Sequence, residues 1–230
     1  MNSRMGVNKD AVLEEIREKG GAGLPAPVKF LAKIISYIFH PVFIPVYLVY
    51  FIVFVHPYLL AGETVQRKRE IIGMAFVSFT FFPLATVLLL KGLNFISSIK
   101  LETRQDRIIP LIACAVWYFW IWWVWHNLNF IPHELTLLAI SSWITVAVAP
   151  FLNVIMKVSL HMIAMGVMLA VMFLMALSSE LEFGLFISLS LFLTGLVGTA
   201  RLIDSDHRPV EIYGGLILGA GTTLVINFLY

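Results

Sequence analysis

The pattern of apolar and polar positions divides the chain near residue 28. Residues 1–27 are polar and end in "GGAGLPAP" (20–27), a Gly- and Pro-rich hinge. Within this tail "KDAVLEEIREK" (9–19) has a few apolar positions, Val12 and Ile16 among them, and predicts at most a short polar surface helix. After residue 28 long apolar runs take over. A bilayer-spanning helix needs about 20 mostly apolar residues, and the runs predict spans at 29–55, 71–91, 108–126, 135–156, 160–178, 184–202 and 210–229. Pro41 and Pro45 interrupt the first run, which is expected to kink or to break into a half-helix plus a span. The fold class is all-α, a polytopic transmembrane bundle of six or seven spans over residues 28–230, preceded by the polar tail.

Composition agrees with that pattern. Of the 230 residues 60% are hydrophobic and 13% charged, against roughly 25% charged in soluble domains. The lipid bilayer is therefore the expected partner, and the net charge of +2 gives no ground for nucleic-acid binding. The single Cys, Cys114, excludes a disulfide framework within the chain. The polar start does not have the short apolar core of a secretory signal. "AVWYFWIWWVWHNL" (115–128) holds five of the six Trp. Trp favours membrane interfaces, so a lipid-facing belt is expected there. His40, His56, His126 and His133 fall near run ends and read as interfacial.

Charged side chains are costly inside lipid, so the charges should mark the connections. With the tail on side X, the loops near 91–107, 157–159 and 203–209 share that side, and those near 56–70, 127–134 and 179–183 lie on side Y. The side-X loops carry three polar clusters: "KLETRQDRIIP" (100–110), "KVSLH" (157–161) and "RLIDSDHRPVE" (201–211). Two spans separate each cluster from the next, so one site can be assembled from all three.

Lys100, Arg107 and Arg201 with the Ser159 hydroxyl suit a phosphoryl group, because Arg offers planar paired donors and Lys a point charge. Asp206 or Ser205 is expected to cap the last helix, with Pro209 in its first turn. Glu211 lies one helical turn beyond His207. A carboxylate there can hold one imidazole nitrogen and leave the other free to attack. His161 can serve as the general acid for a leaving oxygen. Asp204 and Asp206 read as loop and cap residues.

The three clusters together resemble the motifs of the type 2 phosphatidic acid phosphatase family, which shares its phosphate pocket with vanadium-dependent haloperoxidases. The family's first motif is Lys, six residues, Arg-Pro; here Lys100 and Arg107 keep the spacing and Ile108 replaces the Pro. The second is Pro-Ser-Gly-His; here it reads Val158, Ser159, Leu160, His161. The third is Ser-Arg, five residues, His, three residues, Asp; here Ala200 and Arg201 are followed at that spacing by His207 and Glu211. The resemblance covers residues 100–211 through short motifs, as in a divergent member.

It implies an integral-membrane lipid phosphatase that needs no metal or other cofactor. His207 would attack phosphorus to give a phosphohistidine, with Glu211 orienting it and His161 protonating the leaving group. Lys100, Arg107, Ser159 and Arg201 would bind the phosphate oxygens. The substrate would be a lipid phosphate or diphosphate: a polyprenyl diphosphate, phosphatidic acid or phosphatidylglycerophosphate. The expected location is the bacterial inner (plasma) membrane. Its face is open, since the resemblance implies the outer side. Yet of 16 Lys and Arg only Arg67, Lys68 and Arg69 fall on side Y, which makes side X cytoplasmic by the positive-inside rule. Two alternatives share these residues. One is a headgroup-binding transporter or flippase without chemistry. The other is a Mg²⁺-dependent membrane transferase, disfavoured because the four Asp form no diphosphate-binding pair on two loops.

Overall fold

The computed structural model describes residues 4–7, 13–16, 21, 23–99, 104–178, 182–205 and 207–230. The protein is an α-helical membrane bundle. Six of the described helices are long and apolar enough to cross a bilayer: Val65–Gly92, Asp106–His126, His133–Ile155, Leu160–Ser178, Gly184–Asp204 and Pro209–Leu229. In chain order the helices are α1 (Ala26–Ile38), α2 (Ile44–Tyr50), α3 (Val65–Phe76), α4 (Phe82–Gly92), α5 (Arg104–His126), α6 (His133–Ile155), α7 (Leu160–Ser178), α8 (Gly184–Asp204) and α9 (Pro209–Leu229). A π-helical turn, Phe51–Val55, extends α2, and another, Val77–Phe81, joins α3 to α4.

The expected surface helix in the tail is not formed where the tail is described. Leu13–Ile16 pairs antiparallel with Arg4–Val7, with Arg4 opposite Ile16 and Val7 opposite Leu13.

The first apolar run breaks where its prolines stand. Pro41 lies in the turn after α1, and Pro45 occupies the first turn of α2, where its missing N–H removes no helical bond. Helix α1 does not cross the bundle. A Cβ on Gly21, ahead of α1, would collide with the Ile203 carbonyl, and Ser36, near its end, touches Arg201. Both flanks of α1 thus return to the last turns of α8, with Ala32 and Ser36 buried and Phe30, Leu31 and Tyr37 exposed. Thr80, in the second π-turn, donates to the Val42 carbonyl at 2.7 Å and ties the break to the junction of α3 and α4.

The opposite end of the bundle is marked by aromatic contacts. Phe51 and His56 pack on Phe183 at ring separations of 6.4 and 5.7 Å. Tyr230 stacks on His133, and its hydroxyl bonds His126 at 2.5 Å. Residues 39–45 and 56 therefore lie at opposite ends, and the predicted alternation holds: residues 156–159, and Ser205, His207 and Arg208, share the end of Ser36 and Gly21.

The Trp-rich run is only partly a lipid belt. Trp120 and Trp123 are exposed, but Trp125 is fully buried. Trp122 stacks on Trp143 at 5.1 Å, and Trp117 on Phe82 at 4.3 Å. A 3.6-residue period cannot keep five closely spaced Trp on one face, so some enter the α4–α5 and α5–α6 seams.

Helices α7 and α9 approach closely because glycine lines their contact. A Cβ on Gly166, Gly215 or Gly219 would run into the facing helix backbone, including Ser159 O and Ile163 O. Small residues let membrane helices come this near. The consequence is local: the first turns of α7 and α9 touch, and Ser159 N–H donates to the Glu211 carbonyl at 3.1 Å.

Candidate active site

Helix α9 opens with Pro209 at its first position, as its sequence predicts. Its N-cap residue is Arg208 rather than Ser205 or Asp206. Ser205 ends α8, and its hydroxyl turns back to the Arg201 carbonyl; Asp206 lies outside the described residues. The cap interaction comes from Glu211, whose Oε2 accepts the Arg208 backbone N–H at 3.2 Å.

That same oxygen lies 3.0 Å from His207 Nδ1. Both residues are buried. A carboxylate accepts only, so Nδ1 carries the proton and Nε2 keeps its lone pair. Burial lowers the His207 pKa; the Glu211 hydrogen bond opposes this, while Arg107 and Arg201 push the same way as burial. The ring is therefore neutral near pH 7, as a nitrogen nucleophile must be.

Arg107 stands one turn into α5, buried, and its Nη1 donates to the Val158 carbonyl at 3.0 Å. That bond holds the α6–α7 connection against α5. Ser159 follows, fully buried, with its Oγ lacking a hydrogen-bond partner among the described residues. An unpaired buried hydroxyl costs stability, so its presence calls for a reason beyond packing. Arg201, on the last turn of α8, reaches Ser36 Oγ at 3.4 Å and Asp204 at 3.9 Å. His161 Nε2 donates to the Ser36 carbonyl at 3.0 Å, which leaves its Nδ1 as acceptor in the neutral ring.

Six of the seven residues singled out from sequence, Arg107, Ser159, His161, Arg201, His207 and Glu211, thus converge at one end of the bundle. Lys100 lies outside the described residues. A cavity of about 240 Å³ opens beside four of them, Arg107, His161, Arg201 and His207, which line its polar end.

Two members of the site carry no sequence signal of their own. Ser36 supplies acceptors to both His161 and Arg201. His40, expected at the interface, instead lines the cavity with its ring edge-on to His161 at 5.5 Å. Its Nδ1 is buried without a hydrogen-bond partner among the described residues. Burial, and then Arg201, pull its pKa down to about 4. The one available hint was its place beside Pro41, where the first run had to break. Among the described residues no group of three or more His, Cys, Asp or Glu is placed to hold a metal ion.

No family model matches this chain, and no curated protein or solved structure is significantly similar to it.

Proposed function

We propose that the protein is a membrane phosphatase that releases phosphate from a lipid phosphate or diphosphate through a phosphohistidine. The observation that carries the reading is the His207–Glu211 pair: a neutral, buried imidazole with Nδ1 held by a carboxylate and Nε2 left to react, beside two guanidinium groups. Its resemblance to the type 2 phosphatidic acid phosphatases, and the candidate substrates that follow from it, belong to the same proposal.

In the first half-reaction His207 Nε2 attacks phosphorus as the bond to the lipid oxygen breaks. The Nδ1 proton stays with His207, where Glu211 stabilises the positive charge that develops. Arg107 and Arg201 neutralise the equatorial oxygens, and the Ser159 hydroxyl, without a partner among the described residues, donates to a phosphate oxygen. Stabilisation of this spread charge is the main catalytic task in phosphoryl transfer. Neutral His161, with Nδ1 as its acceptor, takes the proton that a monoanionic phosphate brings and passes it to the leaving oxygen. In the second half-reaction His161 Nδ1 takes a proton from the water that cleaves the P–N bond and hands it to the departing phosphate, which restores both rings.

The charge pattern favours the cytoplasmic face of a bacterial plasma membrane. Gly21 and α1 stay at the site end, so Lys29 and Lys33 join Lys91, Lys157 and Arg208 there, against Arg67, Lys68 and Arg69 at the other.

The deciding experiment is phosphate release by detergent-purified protein with a chelator present, over a panel of lipid mono- and diphosphates, beside His207→Ala. Release that the variant abolishes is the expected result. Binding of the same lipids without release by the folded protein would replace the phosphatase with a headgroup-binding transporter. Release that the chelator stops would replace it with a metal-dependent enzyme.

A further inference from the structure

Below its polar end the cavity continues into the bundle between α2, α4, α5, α6 and α7 as an apolar bore. It runs from Arg107 to Tyr118 along α5 and from Ala149 to Leu138 along α6. Each path is roughly 16 Å at about 1.5 Å of rise per residue. Leu48 and Val167 form part of the deep wall. Leu84 and Ile99 line the same cavity and are 38% and 53% exposed, so it opens sideways onto the lipid-facing surface. Thr145 also lines the bore; it is fully buried, and its hydroxyl has no hydrogen-bond partner among the described residues.

We propose that this bore takes a single hydrocarbon chain of the lipid whose phosphate sits at His207, the chain entering sideways past Leu84 and Ile99. The headgroup half of this statement rests on the phosphatase reading; the chain half rests on the cavity. A cationic rim over an apolar bore complements an amphiphile with an anionic head. The volume of about 240 Å³ lies below the roughly 300–1,000 Å³ of pockets that enclose drug-sized ligands, so it holds one chain and not two. Carbon–carbon bonds of about 1.5 Å advance an extended chain by roughly 1.3 Å per carbon, so the bore fits about a dozen carbons. The substrate is thus a phosphate amphiphile that places one chain in the bore, any second chain staying in the bilayer, and comes from either an acylglycerol phosphate or a prenyl phosphate. The buried Thr145 hydroxyl supplies a hydrogen-bonding position that an ester oxygen of an acylglycerol can use and a prenyl chain cannot.

The test measures equilibrium binding of straight-chain alkyl phosphates, butyl to octadecyl, to the His207→Ala protein, which needs no turnover. Kd should fall about fourfold per carbon, the factor that corresponds to ~0.8 kcal/mol per buried CH₂, and level off near a dozen carbons. Adding Val167→Phe should bring the plateau to shorter chains, and Leu138→Ala at the floor should move it to longer ones, with butyl phosphate binding unchanged in both. Opposite shifts cannot arise from misfolding. A plateau that neither variant moves, or none at all, would place the chain in bilayer or detergent and overturn the proposal. Chain-matched acylglycerol and prenyl phosphates separate the two sources: Thr145→Val weakens only the former if the ester is read there. Phosphate release by the unmodified protein is followed in parallel. Shifting plateaus without release would leave the bore standing and remove the phosphatase.

Discussion

His207 Nδ1 lies 3.0 Å from Glu211 Oε2, and that oxygen also accepts the Arg208 backbone N–H at 3.2 Å. One carboxylate oxygen therefore orients the imidazole and closes the start of α9. Glu211→Gln should keep the fold but lower kcat by about 10²–10⁴, the usual worth of a positioned proton-handling group, with KM changed little. Glu211→Asp, one methylene shorter, cannot hold both partners in place and should cost at least about tenfold. Steady-state kinetics beside melting temperatures check both; an unaltered kcat in Glu211→Gln would remove the carboxylate from the reaction.

Ser159 separates stability from activity. Its hydroxyl is buried and has no hydrogen-bond partner among the described residues, so Ser159→Ala removes a desolvation cost and should hold or raise stability by up to about 1–2 kcal/mol. Phosphate release should fall at the same time. A variant that loses stability and activity together would show instead that the hydroxyl is a structural group.

The acid limb of kcat/KM should have its midpoint below 6.5. Burial, with Arg107 and Arg201, lowers the His207 pKa against the opposing pull of Glu211, and the neutral ring is the reactive form. Activity should then rise with pH through that lowered value and be level at neutrality. A midpoint above 6.5 would mean that the imidazolium is favoured in the free enzyme.

His40 carries a stability signature of its own. Its pKa falls from 6.5 to about 4 through burial and Arg201, so between those values the unfolded chain binds the proton and the native chain does not. Native stability from His40 is therefore complete above 6.5, declines as pH falls toward about 4, and is constant below. Thermal melts over that window should show this slope together with the one from His207, and His40→Gln should make it shallower.

The α7–α9 seam predicts opposite effects of one substitution at two glycines. Gly219→Ala drives a Cβ into the Ile163 carbonyl, so the helices must part, at a cost of about 1–3 kcal/mol or more. Activity should fall with stability, because Ser159 and Glu211 are joined across the same seam. Gly221→Ala meets nothing within 4 Å and should stabilise by up to about 1 kcal/mol.

The amino-acid sequence by itself determined the membrane class, the span order and the end that the candidate site residues share. Burying some 20 apolar residues in lipid overrides most local preferences, and every further crossing inverts the face, so His161 and His207 share an end by count alone. Pro41 and Pro45 likewise announced the broken first run. The His207–Glu211 pair was legible because the two residues sit one helical turn apart, a local relation that sequence spacing encodes. Tertiary packing decided the rest. Ser36 and His40 are separated from His161 by more than a hundred positions, and only the return of α1 to α8 brings them together. The N-cap passed to Arg208 because Glu211 folds back on its own helix start. Trp125 is buried because its neighbours leave room in a seam, which a count of aromatic residues cannot express. The bore is the space that five helices leave between them. Its dimensions depend on how side chains from all five interdigitate, and no single segment of the chain encodes that.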